Sequence, residues 1–478
     1  MKRYAWLMLG GAAAWGLNTW AFGMADVDAL CIALVCLWAA GGWIFRKKGT
    51  EVLLAGGFVA ALVFVLKLPY TFSWHDLASY SADFSGAAKP DGHLGYIAWL
   101  VEHGTLPLQD PRIDGYSVFY NPPLYHILQA LFMKLNLLLG VSQEAALENL
   151  QIVTMLCACG CMLVTADLLR ALGADEKAVR RGVVLVAFQP MILLLGATLN
   201  NDILSVFLVL MCVLFTVRWQ QSRRMGDILG AGVTLGLGMA VKLSIAVIIP
   251  CIAVVFAAAF FRDLPRWKKY LGQFAAFLAV SVPEAVAWPL FHMIAYQMPL
   301  SYVRLPAETI NVGHYTLWQR FGFPNHDAIR GLFYSPTRSI NHNVWMQTLK
   351  TGMFDELTLF AEGTVMWYVT YASLVLFAAV LLGALVLFVR LLQKKHARID
   401  GMTKVFLAAY GAMLIGSYLS FCIQYPYICT FNFRYIAPVL ALCAAAYAAY
   451  AQERPWVGIV TGGYAALSMA VYGVYFFG

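Results

Sequence analysis

Runs of about 17–25 apolar residues recur along nearly the whole chain, separated by short polar segments, and each is long enough to cross a bilayer as a helix. Inside lipid the backbone has no water to bond, so spanning segments of this length satisfy their own hydrogen bonds as helices. Composition agrees. Hydrophobic residues make up 61% and charged residues 12%, against about 45–50% and about 25% in soluble proteins. The expectation is an all-α, polytopic membrane protein. Candidate spans fall at 4–23, 27–45, 51–70, 123–140, 150–170, 182–199, 202–219, 227–261, 270–290, 363–392, 403–422, 435–451 and 456–476, or about 11–14 transmembrane helices. The 227–261 run is too long for one straight span and carries several glycines. It reads either as one broken helix or as two short ones, and Arg170, Arg180 and Arg181 favour the pair together with a 123–140 segment that does not cross.

The formal net charge of +8 does not point to nucleic acid. The basic residues sit in short segments between apolar runs: Arg46-Lys47-Lys48, Arg223-Arg224, Arg262 to Lys269 and Lys394 to Arg398. That is the positive-inside pattern of cytoplasmic loops. It puts 71–122, 291–362 and 423–434 on the outer face, the first two being substantial loops. Met1-Lys2-Arg3 before an apolar run resembles a signal peptide, but a second apolar run, Cys31 to Ile44, follows, so a retained helical hairpin over 1–50 is expected. The remaining divisions are a transmembrane module over 51–290, the outer loop 291–362 and C-terminal helices over 363–478. Cys157, Cys159 and Cys161 alternate on a helix and cannot converge on one metal. Only Cys422 and Cys429 sit near an oxidising surface. There is no Walker A motif, no GxGxxG after a strand and no repeat.

The loop from Trp74 to His126 concentrates chemistry: five aspartates (Asp76, Asp83, Asp91, Asp110, Asp114) lie among Trp, Tyr, His, Gly and a proline pair. Such a loop beside a membrane domain is where a recognition or catalytic site belongs. Within it run Asp91-Gly92-His93-Leu94-Gly95-Tyr96-Ile97, Glu102-His103-Gly104-Thr105-Leu106-Pro107 and Tyr120-Asn121-Pro122-Pro123-Leu124-Tyr125. This order resembles the first outer loop of GT-C glycosyltransferases, family 39 in particular, which includes protein O-mannosyltransferases and lipid A aminoarabinose transferases. Asn200-Asn201-Asp202-Ile203-Leu204, Gly238-Met239-Ala240-Val241-Lys242, Gly352-Met353-Phe354-Asp355-Glu356 and Phe433-Arg434-Tyr435-Ile436-Ala437-Pro438 extend the resemblance over most of the chain. Where many relatives carry two adjacent acids, Gly92 and His93 follow Asp91 here.

The resemblance implies a GT-C fold and a sugar donor carried on a polyprenyl phosphate. The acceptor, a protein, cell-wall polymer or lipid, is unspecified. Transfer would be a single, inverting displacement at the outer face of what is expected to be a bacterial plasma membrane. An acceptor hydroxyl or amine needs a carboxylate to take its proton. Asp91 and Asp76 are the two candidates for that catalytic base, Asp76 lying beside His75. Lys242 and Arg434 are candidates for the departing phosphate. Lys242 could instead snorkel to an interface. His75, His93, Tyr120, Tyr125, Asn201, Asp202 and Glu356 complete the substrate-binding candidates. Trp99, Trp318 and Trp345 could stack on sugars or belong to the interfacial aromatic belt. His93, His103 and His126 have no metal-ligand spacing, so no metal site is assigned and the cofactor is unknown, with a divalent metal left open. Besides donor and acceptor, the expected partners are membrane lipids. The competing readings are a transporter or lipid flippase, or an inactive scaffold of the same fold.

Overall fold

A computed structural model describes residues 2–477 apart from 25, 69–91, 114–115, 301, 304, 307, 325–341, 356–363, 394–398 and 452. Among the described residues the chain is helical throughout, its single β-bridge joining Asn311 to Tyr427. Eight helices are long and apolar enough to cross a membrane, or ten if each of two bent pairs is one span; three shorter apolar helices accompany them. The bent pairs are Glu176–Ala187 with Pro190–Gly196 and Ile428–Ile436 with Val439–Tyr450.

Burial separates centre from periphery. Gln143–Ala171 and Asp202–Ser222 are 72% and 78% buried within the protein, whereas Leu264–Tyr296 is 22% buried and shows its apolar side chains to lipid. The hydrophobic effect does not separate core from lipid, so small residues govern how closely helices pack. Gly236 illustrates this: a Cβ there would lie 2.9 Å from the Ser281 carbonyl oxygen, which holds Met225–Met239 against Trp267–Tyr296.

Both open points of the sequence are resolved by backbone geometry. The 227–261 run is two elements, Met225–Met239 and Leu243–Arg262, with Lys242 extended between them at φ −157° and ψ 120°. Leu124–Leu138 does not cross. At 15 residues it is about 22 Å long against a hydrocarbon core of about 30 Å. Its Asn136 side chain accepts hydrogen bonds from Trp15 (2.7 Å) and Asn149 (2.8 Å), and its Gln129 donates to the Leu150 carbonyl (3.2 Å). Gln151 donates to the Leu68 carbonyl at the end of Gly49–Lys67. The helix therefore lies across helix ends at one face.

The opposite face gathers the basic segments. Arg170 bridges Asp167 (3.2 Å) and Glu176 (2.7 Å), and Arg3 bridges Glu51 (3.2 Å) and Asp167 (3.5 Å). Gln221 donates to the Ala171 carbonyl, Gln220 to Asp400 and Gln273 to the Arg223 carbonyl, linking 170–176, 220–223 and 400. Cys157, Cys159, Cys161 and Cys422 are free thiols.

Candidate functional site

Where Asp202–Ser222 begins, the Asn-Asn-Asp motif divides its labour. Asn200 Oδ1 accepts the Ile203 N–H at 3.0 Å and caps the helix start. Asn201 is buried and donates to the Val241 carbonyl at 3.3 Å, fixing the residue before Lys242. Asp202 faces a cavity of about 460 Å³. One of its oxygens pairs with the Lys242 ammonium and the other lies 3.7 Å from Arg434 Nε. The helix N-terminus favours a carboxylate there. Beneath both cations lies the Tyr435 ring, 4.8 Å from Lys242 Nζ and 5.3 Å from the Arg434 guanidinium carbon.

Neither cation stands within an α-helix: Lys242 lies at the break between two helices, and Arg434 on the short 3-10 turn Phe433–Ile436 before the bend into Val439–Tyr450. Irregular backbone at this depth is tolerated where it lines a cavity. The Arg434 turn is braced from behind. Asn432 caps the Arg434 N–H (3.0 Å) and donates to the buried Asp355 (3.0 Å), while Thr351 Oγ1 accepts the Phe433 N–H (2.8 Å). Gly352 packs on Phe377 and Phe433, where a Cβ would meet the Phe377 ring at 2.4 Å. The two late sequence motifs thus form one support. Asp355, Asn432 and Tyr435 were not singled out individually from the sequence; their place next to motif residues was the only signal.

Tyr120, Asn121 and Pro122 close one wall of the cavity. Tyr120 donates to the Tyr302 carbonyl (2.9 Å) and accepts from Trp288 (3.3 Å), and Leu124 N–H bonds the Ala240 carbonyl (3.1 Å). The lining also includes Val206, Val209, Ile245, Leu414 and Phe421, apolar side chains suited to a hydrocarbon chain.

The other predicted residues fall in different places. His93 opens the helix Gly92–His103 and its Nδ1 lies 2.9 Å from Nε2 of the buried His126. Tyr125 is fully buried with Leu204, Leu208 and Val241, behind the cavity rather than on its wall. Trp99 stacks on His103 at 3.8 Å, Trp345 donates to the Phe321 carbonyl, and Trp318 is 77% exposed; none lines the cavity. His75, Asp76, Asp91 and Glu356 lie outside the described residues. Among the described residues no group of three or more His, Cys, Asp or Glu is placed to hold a metal ion.

The Lys242 head is held in a charge cluster at a cavity. That cluster falls largely within a stretch with known relatives. Residues 120–288 match the family model described as dolichyl-phosphate-mannose-protein mannosyltransferase. The matched stretch holds the Tyr120-Asn121-Pro122 wall, Asp202 and Lys242, and bears out the motif resemblance over about that third of the chain. The solved structure of an apo oligosaccharyltransferase from Archaeoglobus fulgidus is similar at 17% identity and a TM-score of 0.43, covering 91% of this chain and 55% of that one. This chain thus spans about half the length of that protein. Apo ArnT from Cupriavidus metallidurans is similar at 13% identity and a TM-score of 0.37, covering 85% of this chain and 78% of that one. No curated protein matches.

Proposed function

We propose that this chain is a membrane glycosyltransferase of GT-C type that moves a sugar from a polyprenyl-phosphate carrier to an acceptor at the outer face. The observation that carries this reading is that two cations, Lys242 and Arg434, are gathered with Asp202 at the wall of one cavity. Ammonium and guanidinium groups are the donors suited to a phosphate oxygen. The apolar side chains that line the same cavity suit the first isoprene units.

The chemistry then divides between two sides. Asp76 or Asp91 takes the acceptor's proton as its lone pair attacks the anomeric carbon, while Lys242 and Arg434 stabilise the phosphate as its bond to that carbon breaks. Single displacement inverts the anomeric centre. The basic segments on the far face support, under the positive-inside rule, an orientation with the cavity outside.

Purified protein in proteoliposomes, given a labelled polyprenyl-phosphate sugar, should pass label to an acceptor fraction. Asp76→Asn and Asp91→Asn are compared in the same assay. If neither folded variant loses turnover, the aspartate base is wrong. Donor translocation without any product would replace the transferase reading with a flippase.

A further inference from the structure

Behind the wall of Tyr120, Asn121 and Pro122 lies a second hollow, a groove of about 430 Å³. Pro122 lines the charged cavity and Pro123 lines the groove, so one stretch of chain divides them. That divider is pinned by residues that line the groove. Trp288 donates to the Tyr120 carbonyl (3.3 Å), and Leu124 N–H bonds the Ala240 carbonyl (3.1 Å). Further lining comes from the apolar Leu106, Leu108, Ile127, Leu237 and Phe291. Against them stands Glu284, the one ionisable residue on the groove among the described residues.

Glu284 belongs to Trp267–Tyr296, within the span that turns its apolar side chains to lipid. It is exposed, as are Val282, Val286 and Leu290 on the same helix. The rise from Lys269, at the basic end, to Glu284 is about 22 Å in a hydrocarbon core about 30 Å thick. The carboxylate therefore sits inside the core, in the leaflet on the cavity's side. At that end Tyr296 donates to the carbonyl of Leu108, tying the helix to a loop residue that lines the groove. A carboxylate at membrane depth is costly unless a partner answers it, and it marks a site by default. Among the described residues none pairs with Glu284.

We infer that this groove binds a membrane lipid whose headgroup carries a primary ammonium, with the ammonium on Glu284 and an acyl chain along the apolar lining. The inference stands independently of the transferase reading. Two properties choose the occupant. A groove open to the bilayer fills from the bilayer by mass action, and its apolar lining suits a hydrocarbon chain. A primary ammonium supplies both the opposite charge and N–H donors, which a carboxylate accepts in short charge-assisted bonds. An anionic headgroup brings like charge to Glu284, and the low dielectric at that depth strengthens the discrimination. The wall thus parts two cations on one side from a carboxylate on the other.

The test is lipid binding by the full chain in dodecyl maltoside, read by native mass spectrometry. The probes are dioleoyl phosphatidylethanolamine and dioleoyl phosphatidylglycerol, which shares its acyl chains and lacks the ammonium. Glu284→Gln should weaken binding of phosphatidylethanolamine roughly tenfold, the size of one charge-assisted hydrogen bond, and leave phosphatidylglycerol binding unchanged. Glu284→Asp should keep most of the wild-type affinity. Gel filtration and thermal unfolding check that both variants are folded. Unchanged phosphatidylethanolamine binding by folded Glu284→Gln overturns the inference, as does an equal loss of both lipids, which would mean that the headgroup is not read. A wild type that elutes as a dimer beside a monomeric Glu284→Gln also overturns it, giving the groove to a second copy of this chain.

Discussion

Two clusters of charge sit at opposite faces of this protein, and their difference is instructive. On the basic face Arg3 and Arg170 meet three carboxylates, Glu51, Asp167 and Glu176, so both of these cations are answered from within the chain. At the cavity Lys242 and Arg434 both meet Asp202. The first cluster ties helix ends together at a half-exposed surface, where an ion pair contributes about 0–1 kcal/mol. The second gathers its charges at the wall of a cavity, on backbone that breaks and bends to present them. The lesson is that ion pairing alone does not mark a site; charge gathered at a cavity does.

The largest effects that would break or sharpen this contrast are kinetic. Lys242→Met and Arg434→Met should each lower kcat/KM for transfer roughly a hundred- to a thousandfold, the cost of one lost donor to a developing anion. Initial rates with a labelled lipid-phosphate sugar measure it. Arg170→Met should leave the same rates unchanged, and a comparable loss there would erase the distinction between the faces.

Next comes stability. Asp202→Ala takes the carboxylate partner from Lys242 at a position that is 8% exposed, and should destabilise the protein by about 3 kcal/mol. Thermal unfolding in detergent would read this as a clear fall in Tm, which an excess of anionic lipid phosphate should partly reverse.

A smaller effect follows pH. Burial, and then the neighbouring His93, hold the buried His126 well below the ordinary imidazole value of 6.5. The unfolded chain takes up its proton near pH 6.5 while the folded chain does not. Stability therefore falls as pH drops below about 6.5, by at most about 1.4 kcal/mol per unit until the lower folded value is reached. His126→Phe should flatten that slope in unfolding curves taken between pH 7 and pH 5. The smallest effect is expected at Arg170, where Arg170→Met should change stability by no more than about 1 kcal/mol.

Much of the fold was legible beforehand because membrane depth imposes a length and an apolar composition on each span. The basic segments were likewise legible as one face. The 227–261 and 123–140 segments were not decided by hydropathy, since apolar content does not report where a backbone breaks; an extended Lys242 and the polar ties of Asn136 and Gln129 did. At the site, Asp202, Lys242 and Arg434 were all legible as candidates from the motifs. Their convergence was not, nor was the role of Asn201 as a brace for Val241. Tyr125 looked like a ligand contact because of its neighbours in sequence, yet burial against Leu204 and Leu208 gives it a packing role.

The sequence by itself determined that this chain is a helical membrane protein, that its cations favour one face, and which short motifs carry polar residues into apolar surroundings. Those features follow from local pattern and from the solvent properties of lipid. Only the tertiary structure decided that residues 202, 242 and 434 share one carboxylate over one aromatic ring, and that His93 leans on His126. The physical reason is that such meetings depend on how bent and broken helices pack, and no local spacing encodes contacts between residues so far apart along the chain.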